Sequence, residues 1–112
     1  MFTFEEQYQN FYKMTVNVQF VKMASSETMT SYVSKKLEKL TEKYDWIIKA
    51  DVYFKLENDR AGNNKICEIE LSMSGPRIFA SSQEENFELA AKKTTLELEK
   101  QLEKRKAVFM AH

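Results

Sequence analysis

The chain has 112 residues, with 17 basic and 17 acidic side chains, so its formal net charge is zero. The content of 43% hydrophobic and 30% charged residues is typical of one globular domain and excludes a disordered chain. No apolar run is long enough to cross a bilayer, and one cysteine cannot form an internal disulfide, so we expect a soluble cytoplasmic protein.

Residues 1–13 differ in composition from the rest of the chain. Their aromatic side chains would share one side of a helix; these are Phe4, Tyr8, Phe11 and Tyr12. One interpretation is a small docking helix. The other is an extension, either disordered or helical, that precedes the natural start of a domain at Met14.

The next two segments differ in their hydrophobic period. Residues 14–23 alternate apolar and polar side chains, which predicts a half-buried strand. Residues 25–45 repeat apolar side chains at helical spacing, and Ser25 or Ser26 could cap the helix. A helix of this length can connect two strands of one sheet.

Three short alternating segments follow, at residues 47–58, 65–74 and 77–82, and they predict three further strands. Residues rich in Gly and Asn separate the first two of these, as expected of a turn. Residues 83–108 predict a second helix, with acidic residues near its start and basic residues near its end.

The order β-α-β-β-β-α predicts a fold. The first two strands flank a crossover helix and should be parallel, whereas strands joined by short turns should be antiparallel. Each strand has one apolar face, so both helices should cover the same side of the sheet. We therefore predict an α+β two-layer sandwich, with a four-stranded mixed sheet and two parallel helices. The predicted boundaries are 1–13 for the extension, 14–108 for the domain and 109–112 for a C-terminal tail.

Both predicted helices separate their charges onto opposite flanks. The basic flanks consist of Lys36, Lys39 and Lys43 in the first helix and Lys93, Lys100 and Lys104 in the second. Because the helices should be parallel, the two basic flanks should face the same lateral direction, and one should line the groove between them. Such a strip could bind RNA or another polyanion, but charges that merely stabilise solvated helices produce the same pattern.

The chain offers little for catalysis. Its one histidine, His112, is the last residue, and Cys67 falls on the apolar side of a predicted strand. No Cys/His cluster suggests a metal site and no glycine-rich loop suggests a nucleotide site. We expect a protein that is not an enzyme and has no catalytic residues, metal, cofactor or small-molecule substrate.

Three stretches resemble the ribosome hibernation-promoting factor family, also called ribosome-associated inhibitor A. They are KKLEKLTEKYDWI (35–47), VYFKLEN (52–58) and FELAAKKTTLELEKQLEKRK (87–106). The resemblance extends from residue 14 to about residue 107 and includes the predicted order of elements. The chain is similar to the short, single-domain members of this family.

The resemblance implies a function. Members of the family are stress factors that bind the small ribosomal subunit in the channel for messenger and transfer RNA. Their helices contact phosphates of ribosomal RNA. By position, the candidate RNA-binding residues are Lys36, Lys39, Lys43, Lys93, Lys100, Lys104, Arg105 and Lys106. The chain departs from the family pattern at residues 90–92, Ala-Ala-Lys, where the family often has an acidic residue.

The alternative is a small α+β protein-interaction module or homodimer that does not bind RNA. Leu89 and Leu96 lie off the apolar stripe of the second helix and could form such a contact, although a homodimer is not required. Salt separates the two hypotheses, because polyanion binding weakens steeply with salt and apolar association persists.

Overall fold

The computed structural model describes residues 14–58 and 60–110, so the predicted extension at 1–13 and His112 lie outside the described residues. Within that part, the elements are β1 (Thr15–Phe20), α1 (Glu27–Lys43), β2 (Lys49–Leu56), β3 (Lys65–Ser72), β4 (Ile78–Glu84) and α2 (Phe87–Met110). This order confirms the predicted β-α-β-β-β-α arrangement.

The four strands form one mixed sheet in the order β1-β2-β3-β4. β1 and β2 are parallel, with Val18 opposite Val52, whereas β3 is antiparallel to both of its neighbours. Since β1 and β4 point the same way and a helix returns from each, α1 and α2 run parallel to each other. The predicted α+β sandwich is confirmed.

The core lies between the helices and one face of the sheet. Along β2, the side chains of Ala50, Val52 and Phe54 are fully buried, and the residues between them are partly exposed. Phe54 stacks on Phe20 with ring centroids 5.2 Å apart and meets the edge of Phe87 at 5.4 Å. The helices therefore cover one face of the sheet and leave the other open.

The structure selects one of the two candidate caps for α1. The Ser26 hydroxyl oxygen accepts a hydrogen bond from the backbone N–H of Met29 at 3.2 Å, which satisfies one of the free donors at the helix start. Ser25 is exposed and lies one residue too early for this role.

The bounds of α2 differ from the prediction at both ends. Residues 83 and 84 belong to β4, where they pair with β3, and the helix begins at Phe87 after Asn86 accepts a hydrogen bond from the Leu89 N–H at 2.7 Å. At the other end the helix extends to Met110 instead of 108. The ring of Phe109 packs against Trp46 with centroids 5.3 Å apart, a tertiary contact that local sequence does not reveal.

Candidate nucleic-acid interface

The two helices lie side by side and form a groove of about 300 Å³ on the surface of the helix layer. The groove is lined by Lys36, Lys39, Leu40, Lys43, Lys92, Thr95, Leu96 and Glu99. Four of these side chains are cationic and one is anionic. The groove is thus a local positive region on a chain whose net charge is zero.

Helical spacing explains how the charged residues reach the groove. In α1, Leu37 and Leu40 are buried in the core, and lysines three and four residues apart follow one flank beside them. In α2, Leu98 is buried, and Lys92 lies four and seven residues before Leu96 and Glu99. The flank that contains them faces α1.

The middle of the groove is less polar than its rim. Leu96 is 49% exposed, whereas Leu40 and Thr95 are buried beneath the lysines. A partly apolar floor under charged walls can accommodate a sugar or the face of a base, while the walls contact phosphates.

Two lysines of the predicted set lie over aromatic rings. The Nζ atom of Lys36 is 5.2 Å from the ring centroid of Tyr32, and that of Lys106 is 5.8 Å from the ring centroid of Tyr44. Such cation–π contacts hold a lysine side chain near one position without neutralising its charge. Tyr44 follows α1 directly, so Lys106 lies near the end of α1 that carries Lys43.

One ion pair crosses the groove. Lys43, at the end of α1, lies with its Nζ atom 2.7 Å from Oε2 of Glu99 in α2. This hydrogen bond, and the attraction between the two charges, raises the pKa of Lys43 above its ordinary value. The pair joins the two helices and neutralises one of the groove lysines.

The remaining predicted lysines form a second row on α2. Lys93 pairs with Glu84 of β4 at 3.0 Å, which places this row on the side of α2 away from α1. Lys100 and Lys104 follow Lys93 at seven and eleven residues, on the same side of the helix, and both are exposed. Lys93, Lys100 and Lys104 therefore form a row that is separate from the groove lysines and lies on the other side of the exposed face of α2.

Arg105 belongs to neither row. Its Nη2 atom donates a hydrogen bond to the carbonyl oxygen of Pro76 at 3.0 Å, in the turn between β3 and β4. Gly75 in that turn has φ of +91°, which favours glycine, and a β-carbon there would lie 3.7 Å from the guanidinium of Arg105. In this position Arg105 supports the turn and points away from the groove.

Lys92 is a groove residue that is absent from the predicted RNA-binding set. Residues 90–92 stood out only because an acidic residue was missing there. The structure places Lys92 in the groove, on the same flank as Leu96. The sequence does indicate this position, because Leu96 lies off the core stripe and a lysine one turn earlier shares its direction.

The open face of the sheet has a different charge arrangement. Lys55 lies 2.8 Å from Glu68, and Arg77 lies 3.5 Å from Glu70. Lys49 similarly pairs with Asp51. Cations on this face are thus paired locally with carboxylates, which weakens their attraction for a polyanion.

Cys67 is fully buried in β3. Burial raises the pKa of its thiol to about 12, because the thiolate would lose its hydration, although a hydrogen bond with Thr94 opposes this shift. The thiol therefore stays neutral at physiological pH and is a poor nucleophile. Within residues 14–58 and 60–110, no group of His, Cys, Asp and Glu residues could hold a metal ion. No helix in that part is long and apolar enough to cross a membrane.

The solved structures that share this fold include the following two. A ribosomal subunit interface protein from Coxiella burnetii has a TM-score of 0.73 and 21% identity, over 82% of this chain and 97% of that chain. The Protein Y N-terminal domain from Thermus thermophilus has a TM-score of 0.68 and 19% identity, over the same shares. A comparison with curated proteins gives no significant match.

Residues 16–108 match the family described as Sigma 54 modulation protein / S30EA ribosomal protein. This match covers the groove between the helices and all of the strands and helices except the first residue of β1 and the last two residues of α2, and it confirms the resemblance that the three sequence stretches indicated. The chain therefore belongs to the Sigma 54 modulation protein / S30EA ribosomal protein family.

Proposed function

We propose that this protein binds the small ribosomal subunit in the channel for messenger and transfer RNA and blocks both RNAs from binding. The main support is the groove between α1 and α2, where four lysines face one glutamate on a protein of zero net charge. In this mechanism the protein inhibits by occupying space and catalyses no reaction.

Phosphate contacts would supply most of the affinity. Lysines that replace counterions along an RNA backbone make the binding constant fall steeply as salt rises. One charge pair 4 Å apart in water is worth only about 1 kcal/mol, so several lysines must act together. The groove lysines and the second row on α2 (Lys93, Lys100 and Lys104) provide such a set within the helix layer.

The shape of the helix layer suits folded RNA. Proteins recognise double-helical and folded RNA mainly through shape and backbone, since its deep major groove is closed to side chains. Two parallel helices fixed on a sheet present lysines at constant spacing, and they need little rearrangement to bind. This rigidity limits the entropic cost of association.

Co-sedimentation with isolated small ribosomal subunits across a salt series tests the proposal. We expect binding at low salt that weakens steeply as salt increases. Pre-bound protein should also reduce the binding of a short messenger RNA and of transfer RNA to the subunit. Absence of binding at low salt would contradict the proposal, and unchanged binding of both RNAs would contradict the occlusion mechanism.

Exposed apolar side chains favour the alternative, a protein-interaction module or homodimer. Three large apolar side chains of α2 are about half exposed or more: Leu96, Phe109 and Met110. However, Leu96 lies among the groove lysines, where a second copy would bring like charges together. A Leu96→Ala variant separates the hypotheses: it should abolish a salt-resistant dimer, but should leave most of the salt-dependent binding to subunits.

A further inference from the structure

We infer that Glu99 lowers the affinity of the protein for RNA by holding Lys43 in an ion pair within the groove. The inference rests on the proposed function and concerns one residue of the same surface. Glu99 would thus be an affinity-determining residue. RNA could contact Lys43 only by displacing the carboxylate of Glu99.

The geometry of the pair supports this role. Lys43 and Glu99 come from different helices and meet at 2.7 Å across the groove. The side chain of Glu99 is 33% exposed and that of Lys43 is 60% exposed, so the carboxylate is the more enclosed partner. The pair also raises the pKa of Lys43, as expected when a carboxylate stabilises the ammonium form.

The other groove lysines differ from Lys43. Among the described residues, Lys39 and Lys92 form no ion pair with a carboxylate, and Lys36 lies over the ring of Tyr32. A phosphate can approach these three without displacing an anion. A phosphate that approaches Lys43 must either replace Glu99 or lie beside its negative charge, and both cost free energy.

The variant Glu99→Gln removes the charge and retains the approximate shape of the side chain. We expect it to bind small ribosomal subunits about threefold to tenfold more tightly than the unmodified protein at low salt. If Lys43 then contacts one more phosphate, the slope of log affinity against log salt should steepen by about 0.7–0.9.

Glu38→Gln is the matched control. Glu38 is exposed on α1, lies almost opposite Lys36 around the helix, and does not line the groove. Its substitution changes the net charge by the same amount, so any general gain in attraction appears in both variants. We expect the control to bind close to the unmodified protein.

A double-mutant cycle isolates the ion pair. Lys43→Gln should cause the smaller loss of binding when Glu99 is present, because Lys43 is then held in the ion pair and the loss comes only from leaving the Glu99 charge unpaired. The same substitution in the Glu99→Gln background should cause a loss several times larger. Equal losses in the two backgrounds would show that Glu99 does not act through Lys43.

The outcomes separate this inference from the proposed function. If the unmodified protein binds subunits with steep salt dependence but Glu99→Gln and Glu38→Gln bind alike, the inference is wrong and the proposed function stands. Weaker binding by Glu99→Gln would also overturn the inference, because Glu99 would then hold Lys43 in the position that contacts RNA. Absence of binding by the unmodified protein would overturn both.

Discussion

At the scale of single residues, Thr94 and Cys67 connect the helix layer to the sheet. The Thr94 hydroxyl has one proton, which it shares between the Ala90 carbonyl at 2.7 Å and the Cys67 carbonyl at 3.1 Å, and the side chains of Thr94 and Cys67 are fully buried. A polar group in the core is tolerated because it is hydrogen-bonded. Cys67 thus fills space beside a structural hydrogen bond.

The thiol of Cys67 should resist chemical modification. A thiol-specific reagent at pH 8 should label the chain readily in denaturant and very slowly in the native state, because the thiol is buried and its pKa is raised to about 12. Mass spectrometry over a time course measures both rates. Native labelling at the rate of an exposed cysteine would contradict the burial of β3.

Two leucines of α2 provide a matched test of the core. Leu98 is fully buried and Leu96 is 49% exposed, although both lie on the same helix. Leu98→Ala should lower the free energy of unfolding by about 2–5 kcal/mol, because it removes buried methyl groups and leaves a cavity. Leu96→Ala should change it by less than about 0.5 kcal/mol. Urea denaturation measures the free energy of unfolding of both variants. Similar decreases would contradict the rotation of α2 about its axis, which buries Leu98 and exposes Leu96.

At the scale of elements, hydrophobic period predicted every strand and helix, but not all of their ends. Alternation is retained in β1 and β2, and in β3 except where Ile66 and Cys67 are both buried, because one face of the sheet is covered and the other is open. The sequence predicts too early a start for α2, because residues 83 and 84 are polar and suit a helix. Their pairing with β3 decides their structure.

Ser26 and Ser25 test the start of α1. Ser26→Ala should lower the free energy of unfolding by about 1 kcal/mol, because the N–H of Met29 loses its hydrogen-bond acceptor. Ser25→Ala is the control and should be close to neutral, since this exposed residue precedes the cap. Thermal or urea unfolding compares them, and an equal effect of both substitutions would argue against Ser26 as the cap.

At the scale of the whole molecule, the order of the elements was sufficient to predict the sandwich, since parallel crossovers and short antiparallel connections leave few topologies. The groove was only partly predictable. Rotation of each helix placed Lys36, Lys39 and Lys43 on one flank, but the orientation of Arg105 depends on a turn distant in sequence. Lys92 lies outside the predicted set, although its spacing from Leu96 gives its direction on α2.

The proposed function requires that the helix layer, and not the open sheet face, carries the RNA-binding surface. Two triple variants that each remove three positive charges test it. The helix-layer variant replaces Lys36, Lys39 and Lys100 by Gln. The sheet-face variant replaces Lys49, Lys55 and Arg77 by Gln. The equal charge change removes differences in long-range attraction, and circular dichroism should show that both variants remain folded.

The decisive measurement is the affinity of these two variants for small ribosomal subunits by co-sedimentation at one low salt concentration. The helix-layer variant should bind on the order of tenfold to a hundredfold more weakly than the sheet-face variant. The reason is that only the lysines replaced in the helix-layer variant contact phosphates in the unmodified protein. Equal binding by the two variants, or a larger loss in the sheet-face variant, would contradict the account.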